Sequence, residues 1–417
     1  MIRKKEVAAP MTLIECFTAS HVDNIAACLR LQPEKMILVG KAEEMTLPAD
    51  RYRELLRRRR QQTKIALCDI EGKDLKDIAS AFDALVKNED ACVIDLTGGD
   101  AHVVMAVGAV LTKLSPEKRK QVCVEIYDHT LGTAKDCISD LCSLPWKKAS
   151  LNVAELISLH GGKLHGSAYQ PPASCRREAL DRLWCISSAD PKFWNRALML
   201  LSEFESRSES KDEINLDLER LRGSISNFHE KENVVRELLD RFQRNGIIHD
   251  RSSRYSLKYT YTSPLLRYCT LKAGNVLEVK TLLEGRAVTE NGGPFFQDCR
   301  MSVSIDWDGI LHHPAQRIPD TCNEIDVILM HGTTPLFISC KNGSIGEEEL
   351  YKLHTVATRF GGPYAKKMLI ATDLNQKSAA SNRAFTQRAW DMDIFLVPDA
   401  GELSREEWQK ALLQAVQ

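Results

Sequence analysis

The sequence contains no apolar run approaching the roughly 20 residues of a membrane-spanning helix, and its opening Met1-Ile2-Arg3-Lys4-Lys5 lacks the apolar stretch of a signal peptide. It also lacks paired cysteines. Thirteen are scattered singly and none forms a CxxC pair, which argues against a zinc cage or a dithiol redox motif. Isolated thiols of this kind fit a reducing, cytoplasmic compartment. There is no excess of one charge. With 56 Lys and Arg against 57 Asp and Glu the net charge is −1, so any nucleic-acid contact has to use a local patch. No GxGxxG occurs, which leaves a dinucleotide fingerprint unsupported. What remains is a globular composition, 43% hydrophobic and 27% charged, over 417 residues, enough for two or three domains.

The N-terminal third alternates strands and helices. Residues 12–17 read as a strand, Val22 to Leu31 as a helix, Met36 to Val39 as a strand closed by Gly40. Ile65–Cys68, Ala91–Leu96 and Val122–Tyr127 read as further strands, with helices over Leu75–Val86 and Ala101–Leu114 between them. A repeated βα pattern predicts an open, mostly parallel sheet, and such sheets bind ligands beyond the carboxyl ends of their strands. Two loops fall there: Thr18-Ala19-Ser20-His21, followed by Asn24, and Thr97-Gly98-Gly99-Asp100. Paired glycines let a backbone approach a ligand, and the next helix N-terminus suits phosphate. The basic run Arg57 to Arg60 reads as a solvated helix face, with a nucleic-acid contact as the alternative.

Beyond residue 150 the pattern changes. Residues 204–213 are polar and read as a linker or exposed loop. A helix over Asn233–Phe242, then a hairpin from Ile247–Asp250 and Tyr255–Tyr259, predicts a winged-helix-like module bearing Arg251 and Arg254. The final third opens with a helix over Val276–Leu283 carrying Glu278, then a strand over Ser302–Trp307. Asn323 to Leu329 and Pro335 to Lys341 flank a polar turn and read as a hairpin. Its first strand carries Asp326 and its second ends in Ser339-Cys340-Lys341. The next helix, about Gly346 to Phe360, opens with Glu347-Glu348-Glu349, and Glu349 shares a stripe with Leu353, Val356 and Phe360. A carboxylate and an ammonium on neighbouring strands can hold a divalent metal and orient water beside a phosphate.

The hairpin resembles the PD-(D/E)xK nuclease core. Asp326 matches the first acid and Lys341 the lysine, while Ser339 stands where the second acid belongs. The resemblance implies an acid brought from a helix, Glu349 or Glu278. Taken with the two loops, the chain resembles CRISPR-associated Rossmann-fold (CARF) effectors with a C-terminal nuclease of this kind. The matching residues are Thr18-Ala19-Ser20 with Asn24, Asp95 to Gly99, and the C-terminal elements; Asp100-Ala101-His102 stand where family members often carry a lysine. The resemblance implies an α/β sensor over 1–150, a winged-helix-like connector over 151–262 and a restriction-endonuclease-like α/β domain over 263–417. It implies a homodimer binding cyclic oligoadenylate, usually cyclic tetra-adenylate, through Thr18, Ala19, Ser20, Asn24, Thr97, Gly98, Gly99 and Asp100. It also implies Mg²⁺ or Mn²⁺ on Asp326, the Cys340 carbonyl and Glu349 or Glu278.

Two functions are therefore expected. One is a metal-dependent nuclease acting on DNA, RNA or both, gated by cyclic tetra-adenylate in type III CRISPR defence, with Asp326, Lys341, Ser339, Glu349 and Glu278 as catalytic residues. The other is a ligand-sensing nucleic-acid-binding regulator whose nuclease fold no longer cuts, a reading that rests on Ser339. With roughly 150–260 between sensor and nuclease, their communication is expected to run through dimer rearrangement rather than direct contact.

Overall fold

Residues 11–129, 132–137, 148–166, 170–172, 177–310, 312, 321–343, 345–374 and 378–417 are described by a computed structural model of the chain. The N-terminal elements are β1 (Thr12–Cys16), α1 (Asp23–Leu31), β2 (Lys35–Gly40), α2 (Ala42–Arg58), β3 (Lys64–Asp69), α3 (Leu75–Asn88), β4 (Cys92–Asp95), α4 (Ala101–Lys113), α5 (Pro116–Arg119), β5 (Val122–Asp128) and β6 (Thr133–Asp136). The sheet order is β3-β2-β1-β4-β5-β6. The five strands β1 to β5 run parallel, and β6 turns back antiparallel on β5. The apolar runs of β1, β2, β4 and β5 follow from burial on both faces, while the edge strand β3 stays half-exposed. Strand order reverses between β1 and β4, so the loops after these two strands lie side by side. That is the topological switch point where open α/β sheets bind ligands.

The connector holds α6 (Val153–Leu159), β7 (Lys163–Leu164), α7 (Arg177–Ala189), α8 (Pro191–Glu205), β8 (Glu213–Asp217), α9 (Leu218–Arg222), α10 (Phe228–Arg244), β9 (Ile248–Asp250) and β10 (Ser256–Tyr261). The hairpin β9–β10 gains β8 as a third strand on β10. The polar stretch expected as a linker is the end of α8 and the loop that feeds this strand. Arg57 and Arg58 pair with Glu54, and Arg59 with Glu155 across the gap to α6, so most of the basic run is engaged within the chain.

The C-terminal elements are α11 (Pro264–Leu271), α12 (Asn275–Ala287), β11 (Thr289–Glu290), β12 (Gly293–Pro294), β13 (Asp298–Asp306), β14 (Cys322–His331), β15 (Thr334–Lys341), α13 (Glu348–Gly361), β16 (Lys366–Ala371), α14 (Ala379–Asp391), β17 (Ile394–Val397) and α15 (Arg405–Gln414). Their mixed sheet has the order β17-β16-β15-β14-β13-β7, so its edge strand comes from the connector. Helix α12 packs on one face, while α13 and α6 pack on the other.

One hydrophobic core runs through both halves. Leu13, Tyr52 and Val93 of the N-terminal domain share a cluster with Leu156 and Ile157 of α6 and with Ile305, Phe337 and Phe360 of the C-terminal domain. The halves therefore touch directly, against the expectation that residues 150–260 keep them apart. No helix of the described residues is long and apolar enough to cross a membrane.

Candidate functional site

Strands β14 and β15 pair in register up to Val327 opposite Ile338 and then part. Asp326 sits in the fork. Its Oδ2 accepts the Cys340 amide at 2.6 Å and the Ser339 hydroxyl at 3.2 Å, and lies 3.5 Å from Lys341 Nζ. Lys341 Nζ is 3.1 Å from Glu349 Oε2, whose other oxygen accepts from Lys352 at 2.8 Å. Burial alone would lower the Lys341 pKa, but the Asp326 and Glu349 carboxylates hold it above its ordinary value. Glu349 is depressed: burial opposes this, and the two lysines outweigh it. Glu347 and Glu348 are exposed, and Glu347 pairs with Arg388 at 3.6 Å.

Glu278 approaches from the opposite face of the sheet, in the first turn of α12. Burial and the nearby Asp326 charge raise its pKa to about 7, although a hydrogen bond from Ser302 opposes the shift. The Glu278 carboxyl is thus close enough to feel the Asp326 charge, and hard oxygen donors of this kind fit Mg²⁺ or Mn²⁺. Among the described residues no three His, Cys, Asp or Glu side chains form a metal cage by themselves. Backbone, water and phosphate oxygens would complete any shell, the usual arrangement for Mg²⁺.

The two loops at the switch point of the N-terminal sheet are in contact. A Cβ on Gly98 would lie 2.5 Å from Thr18 Cγ2 and 2.9 Å from the Cys16 carbonyl, so only glycine lets them meet. Ala19 and Asp100 are exposed, while Thr18, Ser20, Thr97, Gly98 and Gly99 are half-buried. Asn24 is fully buried. Its amide braces the loop, accepting from Thr18 N at 2.9 Å and donating to Thr18 O at 2.7 Å and Tyr52 Oη at 3.0 Å. Asp95 likewise receives the Thr97 amide at 2.7 Å and the Thr97 hydroxyl, and Asp100 caps α4 through Val103 N at 2.9 Å.

Sequence reasoning passed over two sets of residues. The first is Glu15 and Glu125, which with Asp95, named in the sequence only as part of the second loop's match, form a rung of buried acids in register on β1, β4 and β5. Each breaks an apolar run near a strand's carboxyl end, a signal present in the sequence. Arg30 pairs with Glu125, but neither Glu15 oxygen has a hydrogen-bond partner among the described residues. The second set is a junction between the halves, for which no local sequence signal exists. The buried His129 places Nε2 2.8 Å from Asp23 Oδ1, and Nδ1 2.9 Å from the hydroxyl of Thr333, in the turn joining β14 to β15. Its ring stacks at 4.1 Å on Tyr364, which follows α13 and whose phenol is pushed well above its ordinary pKa by burial and the nearby Asp23 carboxylate. His21, the last residue of the first loop, lies 3.0 Å from Tyr52 Oη and edge-on to His160 of the connector. Burial, His160, Arg51 and Arg359 lower its pKa to about 4, so it is neutral at physiological pH.

Neither a protein-family model nor a curated protein matches the chain. Solved structures do. The protein VC1899 from Vibrio cholerae superposes with a TM-score of 0.69 at 14% identity, over 98% of both chains. Can2 from Sulfobacillus thermosulfidooxidans, solved in complex with cyclic tetra-adenylate, superposes with a TM-score of 0.61 at 13% identity, over 98% of this chain and 97% of its own. The end-to-end α/β architecture is therefore one these proteins share.

The acid rung predicts a pH dependence. Burial, then Asp95 and Glu125, raises the Glu15 pKa well above its ordinary value, and burial raises Asp95 to about 7. Both protons are held more tightly in the folded chain. Their stabilisation is complete below the unfolded carboxylate range, about 4, and is lost as pH rises through the folded values. The thermal midpoint should fall between pH 5 and pH 8, and Glu15→Gln should flatten that fall. A wild-type midpoint that rises across this range contradicts the assignment.

Proposed function

We propose that the chain is a metal-dependent nuclease gated by a cyclic oligoadenylate, acting in type III CRISPR defence as a homodimer. The observation that carries the reading is the fork at Asp326, with Lys341, Ser339 and Glu349 gathered on one side and Glu278 on the other. The shared architecture with Can2, which binds cyclic tetra-adenylate, supports assigning that ring to the cleft between the two loops. A two-fold symmetric ring meets the same loops from each of two subunits. Thr18, Ala19, Ser20 and Thr97 to Asp100 would meet the ring, and Asn24 braces the first loop from beneath.

Bound by Asp326, Glu278 and the Cys340 carbonyl, Mg²⁺ or Mn²⁺ would supply Lewis-acid stabilisation and a water of lowered pKa. The residues of the chain do the rest. Lys341 stays protonated beside two carboxylates, so it acts as a fixed positive charge on the phosphate in the transition state rather than as a base. Glu349, held by Lys341 and Lys352, orients that ammonium instead of serving first as a metal ligand. Ser339 fixes the Asp326 carboxylate, which gives it a role where the related core has an acid.

Gating passes through direct contact in this reading. Asp23 immediately follows the first loop, and His129 joins it to the turn of the Asp326–Lys341 hairpin and, through Tyr364, to the end of the Glu349 helix. A ring that binds one arrangement of the loop more tightly thereby biases the hairpin.

Asp326→Asn and Lys341→Ala should each lower ring-activated single-turnover cleavage by about 100-fold or more while leaving ring binding intact. Wild-type rates from both would move the activity elsewhere, and an inert wild type that still binds nucleic acid would favour the regulator. His129→Gln should retain ring binding and lower the ring-stimulated rate by about 2- to 30-fold, the span of typical coupling energies. Full stimulation in that variant would disconnect the junction from gating.

A further inference from the structure

Strand β13 carries one backbone feature that its role as a strand does not explain. Ser302 has φ +48°, a left-handed conformation in the middle of a strand, at a residue that is not glycine. The ladder pairs Met301 with Val327 and Val303 with Ile325, and leaves out the rung between them, where Ser302 stands opposite Asp326. The side chains change layers at that rung. Met301 and Val327 pack into the core beneath α12, whereas Val303 and Ile325, two residues along, pack into the core shared with the sensor. In a regular strand residues two apart stay on one face, so the chain pivots at Ser302. Gln170 braces the pivot from outside, donating to the Met301 carbonyl at 2.9 Å.

Glycine would adopt this conformation without strain. Strain kept at a residue with a side chain points to a use for that side chain. Ser302 Oγ donates to Glu278 Oε2 at 3.0 Å and lies 3.1 Å from Tyr268 Oη. A hydroxyl has one proton to give. With that proton on Glu278, Tyr268 must donate to Ser302, and a directed chain runs from Tyr268 through Ser302 to the carboxylate.

We infer that Ser302 and Tyr268 are positioning residues that aim the Glu278 carboxylate at the Asp326 fork, and that the left-handed backbone at Ser302 is retained for this hydroxyl. The inference rests on the nuclease reading above. It assigns roles to two residues that touch neither substrate nor metal: they act through Glu278.

The test measures Mn²⁺ affinity by calorimetry alongside the thermal midpoint and the Mn²⁺ dependence of cleavage, in full-length protein. Ser302→Gly relieves the backbone and removes the hydroxyl. It should melt at or above the wild-type temperature, yet bind Mn²⁺ about 10- to 100-fold more weakly, the usual cost of losing a partner that orients a metal ligand. Ser302→Ala keeps the strain and should show the same affinity loss without the gain in midpoint. Tyr268→Phe should show a smaller loss. Saturating Mn²⁺ should restore most of the cleavage rate in all three. Wild-type Mn²⁺ affinity in both Ser302 variants, with weakened binding in Asp326→Asn, overturns the inference and leaves the nuclease reading standing. Undiminished Mn²⁺ binding in Asp326→Asn overturns that reading, and the inference with it.

Discussion

A carboxylate is hard to keep in a half-dry fork between two strands, and the C-terminal domain is arranged around doing so. Asp326 accepts the Cys340 amide and the Ser339 hydroxyl and faces the Lys341 ammonium, so one oxygen collects two donors and a charge. Those partners exist only because β14 and β15 stop pairing at Val327 and Ile338. Had the ladder continued, the Cys340 amide would be committed to the opposite strand. The cation beside Asp326 is held in turn by Glu349 on α13. The position of a helix on one face, of Glu278 on the other, and of the pivot in β13 all depend on where that fork opens.

Much of this was legible in the sequence. The buried parallel strands are apolar runs, the helices carry apolar stripes, and the acid and lysine of the hairpin stand out because such residues rarely end buried strands unpaired. The reading failed where the periodicity itself breaks. Strand β13 begins at Asp298, but alternation read from the sequence starts at Ser302, because the pivot there reverses which residues face which layer. Strand β8 was hidden in a charged stretch, and β7 has only two residues. Contacts made by the fold left no local trace. Nothing around Asp23, His129, Thr333 or Tyr364 announces that these four meet, since they come from separate turns of the chain.

That meeting changes how the two halves are understood. With residues 151–262 between the N-terminal and C-terminal domains, the sequence suggests communication through dimer rearrangement rather than direct contact. In the structure the connector's α6 instead packs between α2 and the C-terminal sheet, and the sensor core continues into the other domain. The acid rung lies beneath the same loops, with Asp95 holding Thr97 in place and Glu15 unpartnered beside it in the register. Both loops therefore rest on buried polar groups that are only partly satisfied within the described residues.

The central claim is that ring binding and phosphodiester cleavage belong to one switch. The most direct measurement is single-turnover cleavage of supercoiled plasmid and of single-stranded RNA by the full-length protein in Mn²⁺, with and without cyclic tetra-adenylate. The account predicts that at least one substrate is cut at least about tenfold faster with the ring, a coupling free energy of roughly 1.4 kcal/mol. Cleavage of both substrates at the same rate with and without the ring would contradict it.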